Sequence, residues 1–203
     1  EFMDAVENKR IREFYWVGGE PLMFKIHWTA MQRVIELGYA DQVYARYNSN
    51  MSRIDFYGKN LFDDCLKHFR DWQICASIDG VGVAGEYIRT GLKYNEWLEN
   101  FKQGLTYSKN PRMMRLDFTL TTPGLFEMQN MCKLADKLGV SMLSKVTFAF
   151  TPDIAMSPLF LPKNILHRIV HEQLPHVTQK SLKDVLENLL TRPTFEEEYP
   201  NKF

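Results

Sequence analysis

FYWVGGEPL, residues 14 to 22, decides how this chain folds. Phe14, Tyr15, Trp16 and Val17 are strand formers, and the two glycines after them allow a tight turn or a close backbone approach that a side chain would block. Pro21 then suits the first turn of a helix. A strand passing straight into a helix puts the Glu20 carboxylate at the carboxyl end of a buried strand, where α/β folds place their ligands.

The sequence on either side repeats this strand-to-helix pattern. Apolar residues at Leu22, Ile26, Met31, Val34, Ile35 and Leu37 fall at helical spacing, which predicts a helix from Pro21 to Leu37 with Gly38 as its C-cap. Gln42 to Asn48 alternates as a strand, and Gly58 to Phe69 reads as a helix with Leu61, Phe62, Cys65, Leu66 and Phe69 on one face. Trp72 to Ile78 is a short apolar run of the kind buried in parallel sheets. A Gly-rich connection through Gly80, Gly82, Gly85 and Gly91 leads to a helix from Tyr94 to Ser108. A strand from Met113 to Thr121, a helix from Pro123 to Leu138 closed by Gly139, and a strand from Met142 to Phe150 follow. This alternation predicts an α/β protein with a parallel sheet or barrel.

Beyond Thr151 the pattern changes. Pro152, Pro158 and Pro162 interrupt a loop, helices are expected at Pro162 to Gln173 and Thr178 to Leu190, and Glu196 to Glu198 reads as a solvated tail. The expected organisation is a core over residues 1–160 and a helical extension over 161–203. Glu1-Phe2-Met3 reads as an expression remnant or a cut edge.

The chain has 203 residues, enough for one sizeable core, and 45% of them are hydrophobic, as a globular fold requires. Lys plus Arg and Asp plus Glu each number 25, so the net charge gives no electrostatic case for nucleic acid. No apolar run approaches the ~20 residues that span a bilayer, and no signal-peptide core is present, so a cytoplasmic protein without a membrane partner is expected. Cys65, Cys75 and Cys132 are too few and too scattered for a disulfide framework and read as buried thiols. His27, His68, His167, His171 and His176 fall in expected helices or at their edges, where surface or packing roles are the rule. His167 and His171 lie one helical turn apart, but no third ligand at suitable spacing supports a zinc site.

Two further strand ends carry polar residues. Ser77-Ile78-Asp79-Gly80 ends one strand and is followed by Arg89, while Tyr47-Asn48-Ser49-Asn50 ends the strand before it. Asp79 before Gly80, and Asn48 and Asn50, are also common turn residues.

Together, GGEP, the SxDG-like segment and the Asn-containing segment resemble the S-adenosylmethionine site of the radical SAM superfamily. The likeness is greatest to its twitch or SPASM class and runs from Phe14 to about Pro162. It implies a partial (β/α)6 TIM-like barrel of parallel strands, here without its first βα unit, followed by C-terminal helices. In that reading Gly18, Gly19 and Glu20 grip the methionine ammonium, and Pro21 starts the helix. Asn48 and Ser77 reach the ligand, Asp79 accepts from a ribose hydroxyl or caps the turn, and Arg89 pairs with the methionine carboxylate. The chemistry suits these roles, because carboxylates bind ammonium groups strongly and arginine grips carboxylates with two parallel donors.

The implied cofactors are S-adenosylmethionine and a 4Fe-4S cluster. The implied reaction is reductive cleavage to a 5'-deoxyadenosyl radical that abstracts hydrogen from a peptide or protein substrate. An external donor such as flavodoxin or ferredoxin supplies the electron. The cluster loop CxxxCxxC is absent: none of the 17 residues before Gly18 is cysteine, and the three cysteines present do not form the set. The expectation is therefore a fragment of a radical SAM enzyme, inactive without its cluster segment. The alternatives are a cluster-free barrel that binds a peptide or nucleotide, and a barrel hydrolase or lyase using Glu20, Asp79 and a histidine.

Overall fold

The structure is a computed structural model that describes residues 1–147 and 154–201. It is an α/β protein whose five-stranded sheet has strand pairs that run parallel. The elements are α1 (Phe2–Glu7), β1 (Glu13–Trp16), α2 (Lys25–Glu36), β2 (Tyr44–Ser49), β3 (Asp55–Phe56), β4 (Lys59–Asn60), β5 (Asp71–Ser77), α3 (Gly82–Ile88) and α4 (Tyr94–Tyr107). They continue as β6 (Met114–Leu120), α5 (Met128–Leu138), β7 (Met142–Val146), α6 (Lys163–Gln173), α7 (Lys180–Thr191) and α8 (Phe195–Glu198). The sheet order is β1-β2-β5-β6-β7, and β3 pairs only with β4 in a small antiparallel hairpin. The described strands form an open sheet and no closed barrel.

The chain divides into two compact units, Glu1–Ser77 with Asn95–Arg115, and Ile78–Tyr94 with Leu116–Phe203. In the first, alternation along β2 sorts residues strictly by face: Ala45, Tyr47 and Ser49 are buried, while Tyr44, Arg46 and Asn48 are half-exposed. Phe14, Trp72, Ile74 and Ala76 share the buried set with Trp28, Met31 and Val34 of α2 and Trp97 and Phe101 of α4. At ~25 cal/mol per Å2 of apolar area, aromatic and branched side chains buried this completely dominate the stability of the unit.

Several expectations are corrected here. Phe2, at the edge of the chain, lies in α1, and its ring packs edge-on to Phe14 and Trp16 at 6.1 Å each. Val6 is fully buried, and its carbonyl accepts from the Tyr39 hydroxyl at 2.9 Å. The helix expected from Pro21 is a 3-10 turn, Pro21–Met23, and α2 starts only after the extended residue Phe24.

The helix expected over Gly58 to Phe69 is a hairpin arm followed by a π turn, Leu61–Cys65, and a 3-10 turn, Leu66–His68. Asn60 Oδ1 accepts from both Phe62 and Asp63 amides, which starts the turn only after the hairpin, and Cys65 at ψ −74 ends it. The apolar spacing is nevertheless satisfied, since Leu61, Phe62, Cys65, Leu66 and Phe69 are all buried.

In the second unit, Phe118, Leu120, Met128 and Met131 share the core with Leu166, Val170, Leu182, Leu186 and Leu189. The expected Gly-rich connection contains α3. Gly80 and Gly85 meet backbone to backbone, because a Cβ on Gly85 would lie 2.3 Å from the Gly80 oxygen. The helix expected from Pro123 divides at Glu127 into a 3-10 turn, Pro123–Phe126, and α5.

On β7, the Met142 and Ser144 amides donate to Gln179 Oε1 (3.2 Å) and Ser181 Oγ (2.8 Å), so side chains preceding and within α7 occupy donors of an edge strand. The expected extension of this strand over 148–150, and Pro152, lie outside the described residues. Glu196 to Glu198 are exposed, as a solvated run is, but they lie in a short helix, α8, where Thr194 and Glu197 form a capping box and Glu197 pairs with Lys163 at 2.7 Å.

Candidate functional site at the strand ends

β1 ends in the GGEP turn because both glycines adopt left-handed backbone, φ 84 at Gly18 and φ 49 at Gly19. Such values are strained for any residue with a side chain, and a Cβ on Gly19 would also press on the Phe24 ring at 3.3 Å. Pro21, buried, opens the 3-10 turn, and Glu20 caps it by accepting from the Leu22 amide at 3.2 Å.

The same carboxylate reaches the end of β2. Oε1 accepts from Ser49 Oγ at 2.8 Å, and Oε2 accepts from the Asn50 amide at 2.6 Å. Glu20 is thus a strap between two neighbouring strand ends. A carboxylate oxygen accepts about two donors, so Oε1 is filled and Oε2 keeps one position. Ser49 Oγ in turn accepts from the Met51 amide at 3.0 Å. Asn48 is half-exposed, and its Oδ1 accepts from the Tyr15 hydroxyl at 3.3 Å. Ser77 ends β5, also half-exposed.

In the second unit, Asp79 and Arg89 come together. Arg89 Nη1 donates to Asp79 Oδ2 at 2.7 Å, and the Thr119 amide donates to Oδ1 at 3.0 Å. Burial raises the Asp79 carboxyl above the usual carboxylate range, against the opposing pull of Arg89. Arg89, expected to meet a ligand carboxylate, is engaged by a protein carboxylate, and Asp79 holds the start of the loop after β5 rather than standing open. Beneath it, buried Glu127 accepts from the Val81 amide at 3.0 Å.

Sequence reading missed Ser49 as the partner of Glu20, and Glu127 as a loop anchor. Ser49 carried a signal as the last alternating residue before a turn; Glu127 carried none, since it sat inside an expected helix.

His27 is the packing histidine that its helical position predicts. It is fully buried among Trp16, Trp28 and Tyr47, and its Nε2 lies 3.0 Å from the Tyr47 hydroxyl. Burial drives its pKa down to about 3. Cys65, Cys75 and Cys132 are buried free thiols, and burial pushes Cys65 up to about 12. Among the described residues no group of three His, Cys, Asp or Glu side chains could hold a metal ion, so the residues present do not fit an iron-sulfur cluster. No described helix is long and apolar enough to cross a membrane.

A scan against protein-family models finds no match, and no curated protein matches the chain.

Proposed function

We propose that this chain is the S-adenosylmethionine-gripping part of a radical SAM enzyme that modifies a peptide or protein, its sheet being part of a (β/α)6 barrel. The observation that carries the reading is the GGEP turn at the carboxyl end of β1, with Glu20 strapped to the end of β2 and one acceptor position left on Oε2. That position suits an ammonium group, with the Gly18–Gly19 backbone and half-exposed Asn48 and Ser77 alongside in the same unit. The protein's task there is to hold and orient the sulfonium ligand, while the cofactor carries the hard chemistry. Hydrogen abstraction by a 5'-deoxyadenosyl radical, fed by flavodoxin or ferredoxin, needs a 4Fe-4S cluster that these cysteines do not hold, so no step is assigned through it.

That misfit favours a second reading, a cluster-free barrel that binds a peptide or nucleotide. Titration of S-adenosylmethionine, followed by amide NMR and calorimetry, tests the shared part of both. The expected result is a shift centred on Gly18, Gly19 and Asn50 that Glu20→Gln weakens by about tenfold. Saturating ligand that leaves these amides unmoved overturns the SAM reading. Release of 5'-deoxyadenosine by a protein joined to a CxxxCxxC segment and loaded with iron and sulfide separates enzyme from binding module.

A further inference from the structure

The strand face opposite the core of the first unit carries half-exposed and exposed side chains, and it is not uniform. Register places Tyr15, Arg46 and Gln73 side by side across β1, β2 and β5, with Glu13, Tyr44 and Asp71 in the row nearer the strand starts. The Arg46 guanidinium lies over the Tyr15 ring, 4.6 Å from its centroid, and donates through Nη1 to Glu13 at 3.1 Å. One of its five N–H groups is engaged in that way among the described residues, and its side chain is 41% exposed. The ring below fixes the guanidinium plane, so the remaining donors are aimed before any ligand arrives.

Next to Arg46 on this face lies a hollow of about 570 Å3 whose lining includes Tyr44, Gln73, Asn110 and Arg112. Gln73 Nε2 donates to the Arg112 carbonyl at 2.9 Å, which anchors the 110–113 segment as its wall. The Arg112 side chain is exposed and has no ion pair among the described residues. Arg112 thus lines a hollow whose one acidic lining residue, Asp71, already accepts from the Trp72 amide at 2.9 Å, and Arg46, which also has donors to spare, stands across the strand from its Gln73 wall.

We infer that this face is a subsite for a carboxylate of a peptide ligand, with Arg46 as its anchor and Arg112 as its second cation. A single exposed contact to Glu13 is a weak competitor, because surface ion pairs contribute little, whereas a carboxylate arriving in the guanidinium plane makes two parallel bonds. Tyr15 and Tyr44 supply the flat walls against which a peptide backbone lies, and Asn48 and Gln73 supply amides for it. Arg46 is three residues before Ser49, about 10 Å along the strand, so an acidic residue bound here leaves a neighbouring residue of the same peptide at the GGEP end. Identifying that peptide as the substrate rests on the function proposed above; the subsite itself does not.

The probes are two model peptides, acetyl-Gly-Glu-Gly-amide and acetyl-Gly-Gln-Gly-amide, titrated into the labelled chain and followed by amide and arginine Nε NMR. The Glu peptide is expected to shift Tyr15, Arg46 and Gln73 and to bind about tenfold more tightly than the Gln peptide. Arg46→Gln abolishes the preference, Arg112→Gln reduces it, and Glu13→Gln increases it by freeing Nη1. These are exposed positions, and the variants' amide spectra report that the fold is retained. Equal shifts from both peptides, or an undiminished preference in Arg46→Gln, overturn the subsite. S-adenosylmethionine shifts at Gly18 and Asn50 are read in the same samples: their loss with the peptide preference intact defeats the proposed function and leaves the subsite standing, and the converse defeats the subsite alone.

Discussion

Lowering the pH should destabilise this protein through His27 by an amount that its surroundings set. The imidazole is fully buried, ringed by Trp16, Trp28 and Tyr47, and desolvation is what moves its pKa from 6.5 to about 3. The folded state therefore takes up the proton at lower pH than the unfolded chain does. Above pH 6.5 neither state is protonated, and the group costs nothing. As pH falls from 6.5 towards 3 the unfolded chain alone gains the proton, so stability is lost across that window and the loss levels off below it. At pH 5, about 1.5 units below the unfolded value, the loss is about 2 kcal/mol at 1.36 kcal/mol per unit. That is a large share of a folding free energy of ~5–15 kcal/mol.

The matched control is His27→Leu combined with Tyr47→Phe, because His27→Leu alone would leave the buried Tyr47 hydroxyl without its partner. Urea unfolding of both proteins at pH 7 and pH 5 isolates the term, since all other titrating groups are shared. The wild-type protein should lose about 2 kcal/mol more than the double variant, about 1 M in urea midpoint for an ordinary slope. The His27 ring resonances should also keep their neutral shifts down to about pH 4.5. Equal losses in the two proteins, or a ring that titrates near 6.5, refute the reasoning.

Gly85→Ala should be among the most damaging single-methyl changes available, because the added Cβ would stand 2.3 Å from the Gly80 oxygen and backbone must move. A loss of about 3 kcal/mol or more is expected in thermal unfolding, and a melting temperature within a degree or two of wild type would contradict it. Ser181→Ala removes the acceptor of the Ser144 amide on the edge strand β7. Amide exchange at Ser144 should accelerate by about fivefold or more, equivalent to about 1 kcal/mol, with α7 itself still protected; unchanged exchange would show that another acceptor holds that amide.

The parallel sheet was readable because strand alternation and the apolar spacing of helices are imposed locally, residue by residue, by burial. Tyr44 to Ser49 shows this most directly, with every second side chain buried. Where local chemistry and burial pull apart, the reading failed in the direction of the weaker term. Leu61 to Phe69 has helical spacing and is buried as that spacing requires, yet capping by Asn60 imposes a π turn. Gly82 and Gly85 argue against a helix by propensity, yet α3 forms because a close crossing at Gly80 needs a residue without a side chain.

The site follows the same logic at longer range. Glu20 at a strand end was visible, since Gly-Gly and Pro mark the turn from within. That its oxygens are spent on Ser49 and Asn50 was not, because those donors lie 29 and 30 residues away and are brought in only by the β1–β2 register. Arg89 meeting Asp79 ten residues earlier was hidden for a related reason, since the pair is brought together by the turn through α3 and not by a local residue pattern. The consequence for function is specific. A ligand at the GGEP end of the first unit meets one open acceptor position on Glu20, while in the second unit any anion that recruits Arg89 must displace the Asp79 carboxylate. An anion that arrives along the strand face of the first unit meets Arg46, which keeps donors beside the one it gives to Glu13.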